Sequence, residues 1–185
     1  MRRLTILLVF WLSACQLLPR SNMVYQLDGG HYRLQTHWPG PAQQILQQVV
    51  FTTAGQHHEF LLSAQLDAQQ MLLVGLSPLG QELWRIELTS DGQLLTAGIQ
   101  PFADKRFAVQ LLAQMQWSLL PLPDIQPQLR ALTLTDMPNQ RQVKNADGQT
   151  VLTIEGAGEI AVGKTYRIFD GNFELSIVTL ERELL

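Results

Sequence analysis

The stretch His58–Leu88, HEFLLSAQLDAQQMLLVGLSPLGQELWRIEL, decides the fold class. From His58 to Leu66, the residues Phe60, Leu62, Ala64 and Leu66 recur at every second position, with Leu61, Ser63 and Gln65 between them. A period of two sends alternate side chains to opposite faces of an extended chain, so this is a strand with one buried face. Asp67-Ala68-Gln69 turns the chain, and Gln70–Leu76 reads as a second, apolar strand. Ser77-Pro78-Leu79-Gly80 is a tight loop, and Glu82–Leu88 follows with Trp84, Ile86 and Leu88 inward and Arg85 and Glu87 outward. Strands of this length joined by short turns describe an antiparallel meander.

The pattern extends in both directions. Upstream, Gln43–Thr53 alternates, with Ile45, Val49 and Phe51 on one face, and Ala54-Gly55-Gln56 turns it into the His58 strand. Pro39-Gly40-Pro41 breaks regular structure, so a first strand is expected before it, over Tyr32–Trp38. Downstream, Ser90-Asp91-Gly92 leads into a strand over Gln93–Ile99. The period then changes. Between Ala103 and Trp117 the apolar residues Phe107, Ala108, Leu111, Leu112 and Met115 form one helical stripe. Pro121 and Pro123 interrupt it, and Asp124 is expected to cap a short helix running to about Ala131.

Strands resume over 131–135, 140–145, 149–155, 164–169 and 172–183, with Asp147-Gly148 and Asp170-Gly171 as hairpin turns. The order of strands, helical insert and strands predicts a mainly β (α+β) fold, a curved antiparallel sheet with helices over its concave face.

The N-terminus carries a separate signal. Arg2 and Arg3 precede an apolar run from Leu4 to Leu12, then Ser13-Ala14-Cys15. A charged start, a short apolar run and small residues at the cut site describe a secretory signal peptide, and the run falls short of the ~20 residues that span a bilayer. Leu12-Ser13-Ala14-Cys15 resembles the lipobox of bacterial lipoproteins. That resemblance implies cleavage before Cys15 and lipidation of its sulfur, and Gln16 in the next position implies the outer membrane rather than the inner. The expected organisation is a signal peptide (1–14), a lipidated tether (15–24) and one β-domain (25–185).

Composition narrows the function. Cleavage would remove Arg2 and Arg3, leaving 11 basic against 16 acidic residues, a formal charge of about −5. No basic patch stands out, so nucleic acid is not expected as a partner. Cys15 is the only cysteine, so neither a disulfide nor a cysteine metal site supports the fold.

Three motifs lack the context their chemistry requires. Gly158–Thr165 matches the phosphate-loop pattern, but Tyr166-Arg167-Ile168-Phe169 reads as a strand where that motif requires a helix. Gly75-Leu76-Ser77-Pro78 begins like a nucleophile elbow but has Leu79 where the second Gly belongs. His57 and His58 are adjacent in a strand and point to opposite faces, and His31 and His37 are isolated, so no metal is expected. No carboxylate pair suggests acid–base chemistry. Neither an enzymatic activity nor a cofactor is expected.

The apolar strand running into a Pro-Leu-Gly loop (Met71–Gly80), the amphipathic helix with its Pro-containing extension (Ala103–Ile125), the terminal hairpins and the lipobox together resemble the LolA/LolB-like family of lipoprotein carriers and receptors. The resemblance is strongest to LolB-like outer-membrane lipoproteins, including a group sometimes encoded beside aryl polyene gene clusters.

It implies an incomplete antiparallel β-barrel closed by helices around an apolar cavity for acyl chains. Phe51, Phe60, Leu62, Leu73, Trp84, Ile86, Phe107, Leu111 and Met115 fit the cavity positions, and Leu79 fits a protruding leucine that helps cargo enter the membrane. It further implies a monomer on the inner leaflet of the outer membrane, facing the periplasm. Such a protein would bind an acyl ligand or lipoprotein cargo and take it from a LolA-like periplasmic carrier. The alternative is a scaffold lipoprotein with a filled core.

Overall fold

The alternation of His58–Leu88 runs through ten strands of one sheet. The computed structural model describes residues 23–158 and 160–185. Cys15, the signal peptide and most of the expected tether lie outside the described residues. The elements in chain order are β1 (Val24–Leu27), β2 (Gly30–Arg33), β3 (Gln43–Thr53), β4 (Gln56–Leu66), β5 (Gln70–Leu76), β6 (Glu82–Thr89) and β7 (Leu94–Gly98). There follow α1 (Lys105–Leu119), α2 (Leu122–Ile125), β8 (Leu129–Arg130), β9 (Leu132–Met137), β10 (Gln140–Asn145), β11 (Thr150–Glu155), β12 (Thr165–Phe169) and β13 (Phe173–Leu184).

The large sheet has the order β7-β6-β5-β4-β3-β13-β12-β11-β10-β9, and each neighbouring pair is antiparallel. β7 and β9 are its edges, so the barrel is incomplete. The two longest hydrogen-bonded neighbours, β3 and β13, lie at its centre. One face of the sheet is apolar: Ile45, Val49, Leu62, Leu73, Ile86, Leu134, Val143, Ile154, Ile168 and Ile177 all belong to a single core. Because the side-chain period is two, a register slip would turn that face to water, and the burial pattern therefore fixes the pairing.

Helix α1 lies against this face, burying Ala108, Leu112, Ala113 and Trp117. Its start is set by Asp104, whose side chain accepts the Arg106 backbone N–H at 2.7 Å. Its far end is capped by a buried arginine. Arg141 on β10 donates from Nη1 to the Trp117 and Leu120 carbonyls at 2.6 and 2.8 Å, and from Nε to Asp136 at 2.5 Å. Midway, the fully buried Gln116 amide locks the helix to the chain after β2. Its Oε1 accepts the Tyr32 hydroxyl at 2.7 Å and the Gln35 N–H at 3.0 Å, while Nε2 donates to the Gln35 carbonyl at 2.8 Å. Nε2 also donates to the Met71 sulfur at 3.5 Å, so all four hydrogen-bonding directions of this buried amide meet protein.

A three-stranded sheet, β1-β2-β8, covers the outer side of the helix. Tyr25 and Tyr32 each pack on Trp117 with ring centroids 5.4 Å apart. The sequence predicts one strand over Tyr32–Trp38, whereas the chain forms a β1–β2 hairpin and leaves regular structure after Arg33. The hairpin turns on Asp28 and Gly29, both at positive φ, which is the two-residue turn whose twist suits flanking strands. A second correction concerns Asp124. It lies inside α2, which begins after Pro121, and a short 3₁₀ turn over Gln126–Gln128 replaces the expected helix end. The phosphate-loop-like stretch leads into β12, a strand.

Candidate functional site

The concave face is filled over one half and hollow over the other. Leu112, Met115 and Leu119 belong to the packed core. Towards the start of the helix, Phe107, Gln110 and Leu111 roof a cavity of about 570 Å³, within the range of small-ligand sites. Its floor comes from β3 (Phe51), β4 (Phe60), β6 (Trp84) and β13 (Phe173, Leu175). The β7–α1 connector closes one side with Ile99, Pro101 and Phe102.

The walls are aromatic. Phe102 stacks on Trp84 at 4.9 Å with planes 7° apart, and meets Phe107 edge-on at 4.9 Å. Phe60 stands edge-on to Trp84 at 5.8 Å, and Phe51 lies 6.0 Å from Phe173. His58 stacks on Phe51 at the margin. Trp84 can lie flat on the sheet because its partner across β5 is Gly75. A Cβ at position 75 would overlap the indole. Polar side chains at the cavity are few. Glu59 is engaged by Gln48, and Gln110 sits on the roof. Gln114 is 2% exposed, and its amide faces the Tyr25 hydroxyl.

Of the nine residues expected to line a cavity, the structure brings five together there: Phe51, Phe60, Trp84, Phe107 and Leu111. It places Leu62, Leu73, Ile86 and Met115 in the packed half, among the buried core. Phe102, Gln114 and Phe173 line the cavity without being among those nine. Phe102 lies in a connector without periodicity, and Gln114 is polar on an apolar stripe. The alternation of the last strand was the available signal for Phe173.

Leu79 is 96% exposed. Its loop is closed by hydrogen bonds from Gly80 N to Ser77 O and from Ser77 N to Gln81 O, both 2.8 Å. The loop follows the Leu76↔Glu82 pair, next to Gly75↔Trp84. Leu79 therefore stands at the same end of the sheet as the cavity floor, together with exposed Ile99, which follows Gly98, the partner of Trp84.

A second hollow, about 620 Å³, lies on the other side of the connector between β1 and the first turns of α1. It shares Gln100, Pro101, Phe107 and Gln110 with the first, so the two are separated by little more than the Phe107 side of the helix. Its rim carries Lys105, Arg106 and Asp104. Hydrogen bonds from Arg106 hold the Asp104 carboxyl below the usual carboxylate range. Tyr25 borders this hollow. Burial raises its hydroxyl above the ordinary tyrosine range, the Asp170 charge adds to the rise, and the neighbouring Gln114 amide opposes both.

Comparison with known proteins gives a family match and a likeness to several solved structures. A family model described as a protein of unknown function (DUF3261) matches residues 44–181. A LolA superfamily protein from Nitrosomonas europaea is similar over 82% of this chain and 89% of its own, at 6% identity and a TM-score of 0.46. A domain from Vibrio parahaemolyticus, described as an outer membrane lipoprotein-sorting protein, is similar over 80% of this chain and 87% of its own, at 6% identity and a TM-score of 0.42. No curated protein matches the chain.

Proposed function

We propose that this chain, which belongs to the DUF3261 family, is a lipid-anchored carrier that holds an acyl chain between α1 and the concave face of its sheet and passes it to or from the outer membrane. The observation that carries this reading is the aromatic cavity of about 570 Å³, set at the end of the sheet that also bears Leu79. An acyl chain placed there leaves water at a gain of roughly 25 cal/mol per Å² of apolar surface buried. The lipobox at Cys15 supports the anchor on the periplasmic side of the outer membrane, and the LolB resemblance supports lipoprotein or another acylated molecule as cargo. A LolA-like periplasmic carrier is the proposed donor.

The packed half of the face favours a second reading, a scaffold lipoprotein. Leu62, Leu73, Ile86 and Met115 leave no space there. One experiment separates the two. Among the described residues, every strand and helix lies between Val24 and Leu184, so a soluble form starting after Cys15 retains all of these elements. Its lipids are extracted with organic solvent and identified by mass spectrometry against a matched control protein. A specific acylated molecule supports the carrier. A blank extract, with no thermal shift on adding fatty acid, overturns it in favour of the scaffold.

A further inference from the structure

The second hollow, between β1 and the first turns of α1, runs beside an open edge of the large sheet. Its lining includes Leu94 at the start of β7, Gln100 and Pro101 beyond the end of that strand, and Phe107 of α1. β7 pairs with β6 alone. Met23, where the described chain begins, lines the same hollow. The chain therefore enters the domain at the wall of a largely apolar hollow.

The entry point lies at the far end of the sheet from Leu79. The Met23 carbonyl accepts the Leu34 N–H at 2.9 Å, and a Cβ at Gly92, in the β6–β7 turn, would stand 3.4 Å from the Met23 side chain. Leu79 and Ile99 stand at the opposite end of β6 and β7, next to Glu82 and Gly98. A tether running straight out from Met23 would carry Cys15 away from Leu79, and the two would not meet one membrane surface.

The sequence before Met23, Cys15-Gln16-Leu17-Leu18-Pro19-Arg20-Ser21-Asn22, suits the other course. Leu18 precedes Met23 by about 17 Å of extended chain, the length of the five-residue β7. Cys15 precedes it by about 26 Å, enough to pass the end of β7. A segment joined to the wall of its own site is present there at an effective concentration in roughly the millimolar range, which a free ligand or a second copy would have to match.

We propose that Leu17 and Leu18 dock in this hollow, so that the tether folds back along β7 and brings Cys15 out beside Ile99 and Leu79. The anchor and the two exposed apolar side chains then face the membrane together. Because the hollow shares Phe107 with the aromatic cavity, the docked leucines also support one wall of that cavity. The membrane orientation rests on the lipidated Cys15 of the carrier reading, whereas the docking does not.

The test is nuclear magnetic resonance on the soluble form, Gln16 to Leu185, compared with its Leu17→Ser/Leu18→Ser variant. In wild type, nuclear Overhauser contacts are expected between the Leu17 and Leu18 methyls and the Phe107 ring. In the variant, the amide resonances of Gln100, Lys105 and Gln110 are expected to shift, although all three are remote in sequence from the substitutions. Absent contacts, with these amides unmoved, overturn the proposal. Contacts that vanish on dilution assign the hollow to a second copy and overturn it as well. Amides that ignore the variant but move on adding dodecanoic acid assign the hollow to cargo, which overturns the docking and leaves the carrier reading standing. A blank lipid extract, conversely, removes the carrier reading and leaves the docking standing.

Discussion

Trp84 lies flat over Gly75, its cross-strand partner, and the indole occupies the space that a Cβ at position 75 would need. The stack of Trp84 with Phe102, and through it Phe107, is thus built on an absent side chain. Gly75→Ala is expected to lift the indole into the cavity. Overpacking of this kind costs about 1–3 kcal/mol, so thermal stability should fall. Binding of the fluorescent dye N-phenyl-1-naphthylamine should fall by more than about tenfold, since the displaced ring fills the hollow. A variant that unfolds earlier yet binds dye as wild type does would show that Trp84 does not shape the cavity.

Some of this was readable from the chain and some was not, for separable physical reasons. Strands β3 to β6 were legible because one face is buried and the other half-exposed, which leaves a period of two in the sequence. The β1–β2 hairpin was not. Its strands are four residues each, too short for a period to register, and the informative feature was the Asp28-Gly29 turn alone. Within the site, alternation identified the inward residues but not how far along each strand the core is filled. Phe60 and Leu62 are equivalent in sequence pattern. They differ in that Phe60 borders the cavity with Phe107 and Leu111, whereas Leu62 lies in the packed core with Leu112 and Met115. Gln114 was invisible for the opposite reason. A glutamine on a helix is ordinarily read as facing water.

Three tyrosines predict how the fold responds to alkali. Burial raises the hydroxyls of Tyr32 and Tyr166, with the Asp124 charge adding to the rise at Tyr32, and burial also leads the rise at Tyr25. In the unfolded chain each ionises near pH 10. The native state holds more protons than the unfolded state above that point, so stability is complete below about pH 10 and declines as pH rises further. The slope approaches about 1.4 kcal/mol per pH unit for each tyrosine that remains protonated. Tyr32→Phe loses its hydrogen bond to Gln116 and is less stable at neutral pH, but its stability should decline less steeply in alkali. Urea titrations between pH 8 and 11.5 would measure both, and parallel curves for wild type and variant would contradict the assignment.

Arg141 and Asp136 form an ion pair whose two halves are unequal. Arg141 is buried and serves two carbonyls at the end of α1, whereas the Asp136 side chain is 49% exposed. Removing Arg141 leaves those carbonyls and the carboxylate without their donor. Arg141→Met is therefore expected to cost about 3 kcal/mol. Asp136→Asn removes only a partly solvated charge and should cost about 1 kcal/mol or less. Comparable losses from the two variants in chemical denaturation would mean that the ion pair, and not the capping of the helix, is what Arg141 contributes.

Leu79 is where fold and function should separate. Its side chain touches almost nothing, so Leu79→Glu is expected to change stability by less than about 0.5 kcal/mol and to leave dye binding as in wild type. Its proposed role is at the membrane. The loop stands at the cavity end of the sheet, and a leucine there can enter the lipid surface as the chain leaves the protein. A carboxylate resists that transfer because it must give up its hydration. The rate at which a pyrene-labelled fatty acid moves from protein to phospholipid vesicles should fall several-fold in Leu79→Glu and stay near wild type in Leu79→Met. Equal rates for all three would remove Leu79 from the delivery step. A fall matched by weaker binding would instead place its effect inside the cavity.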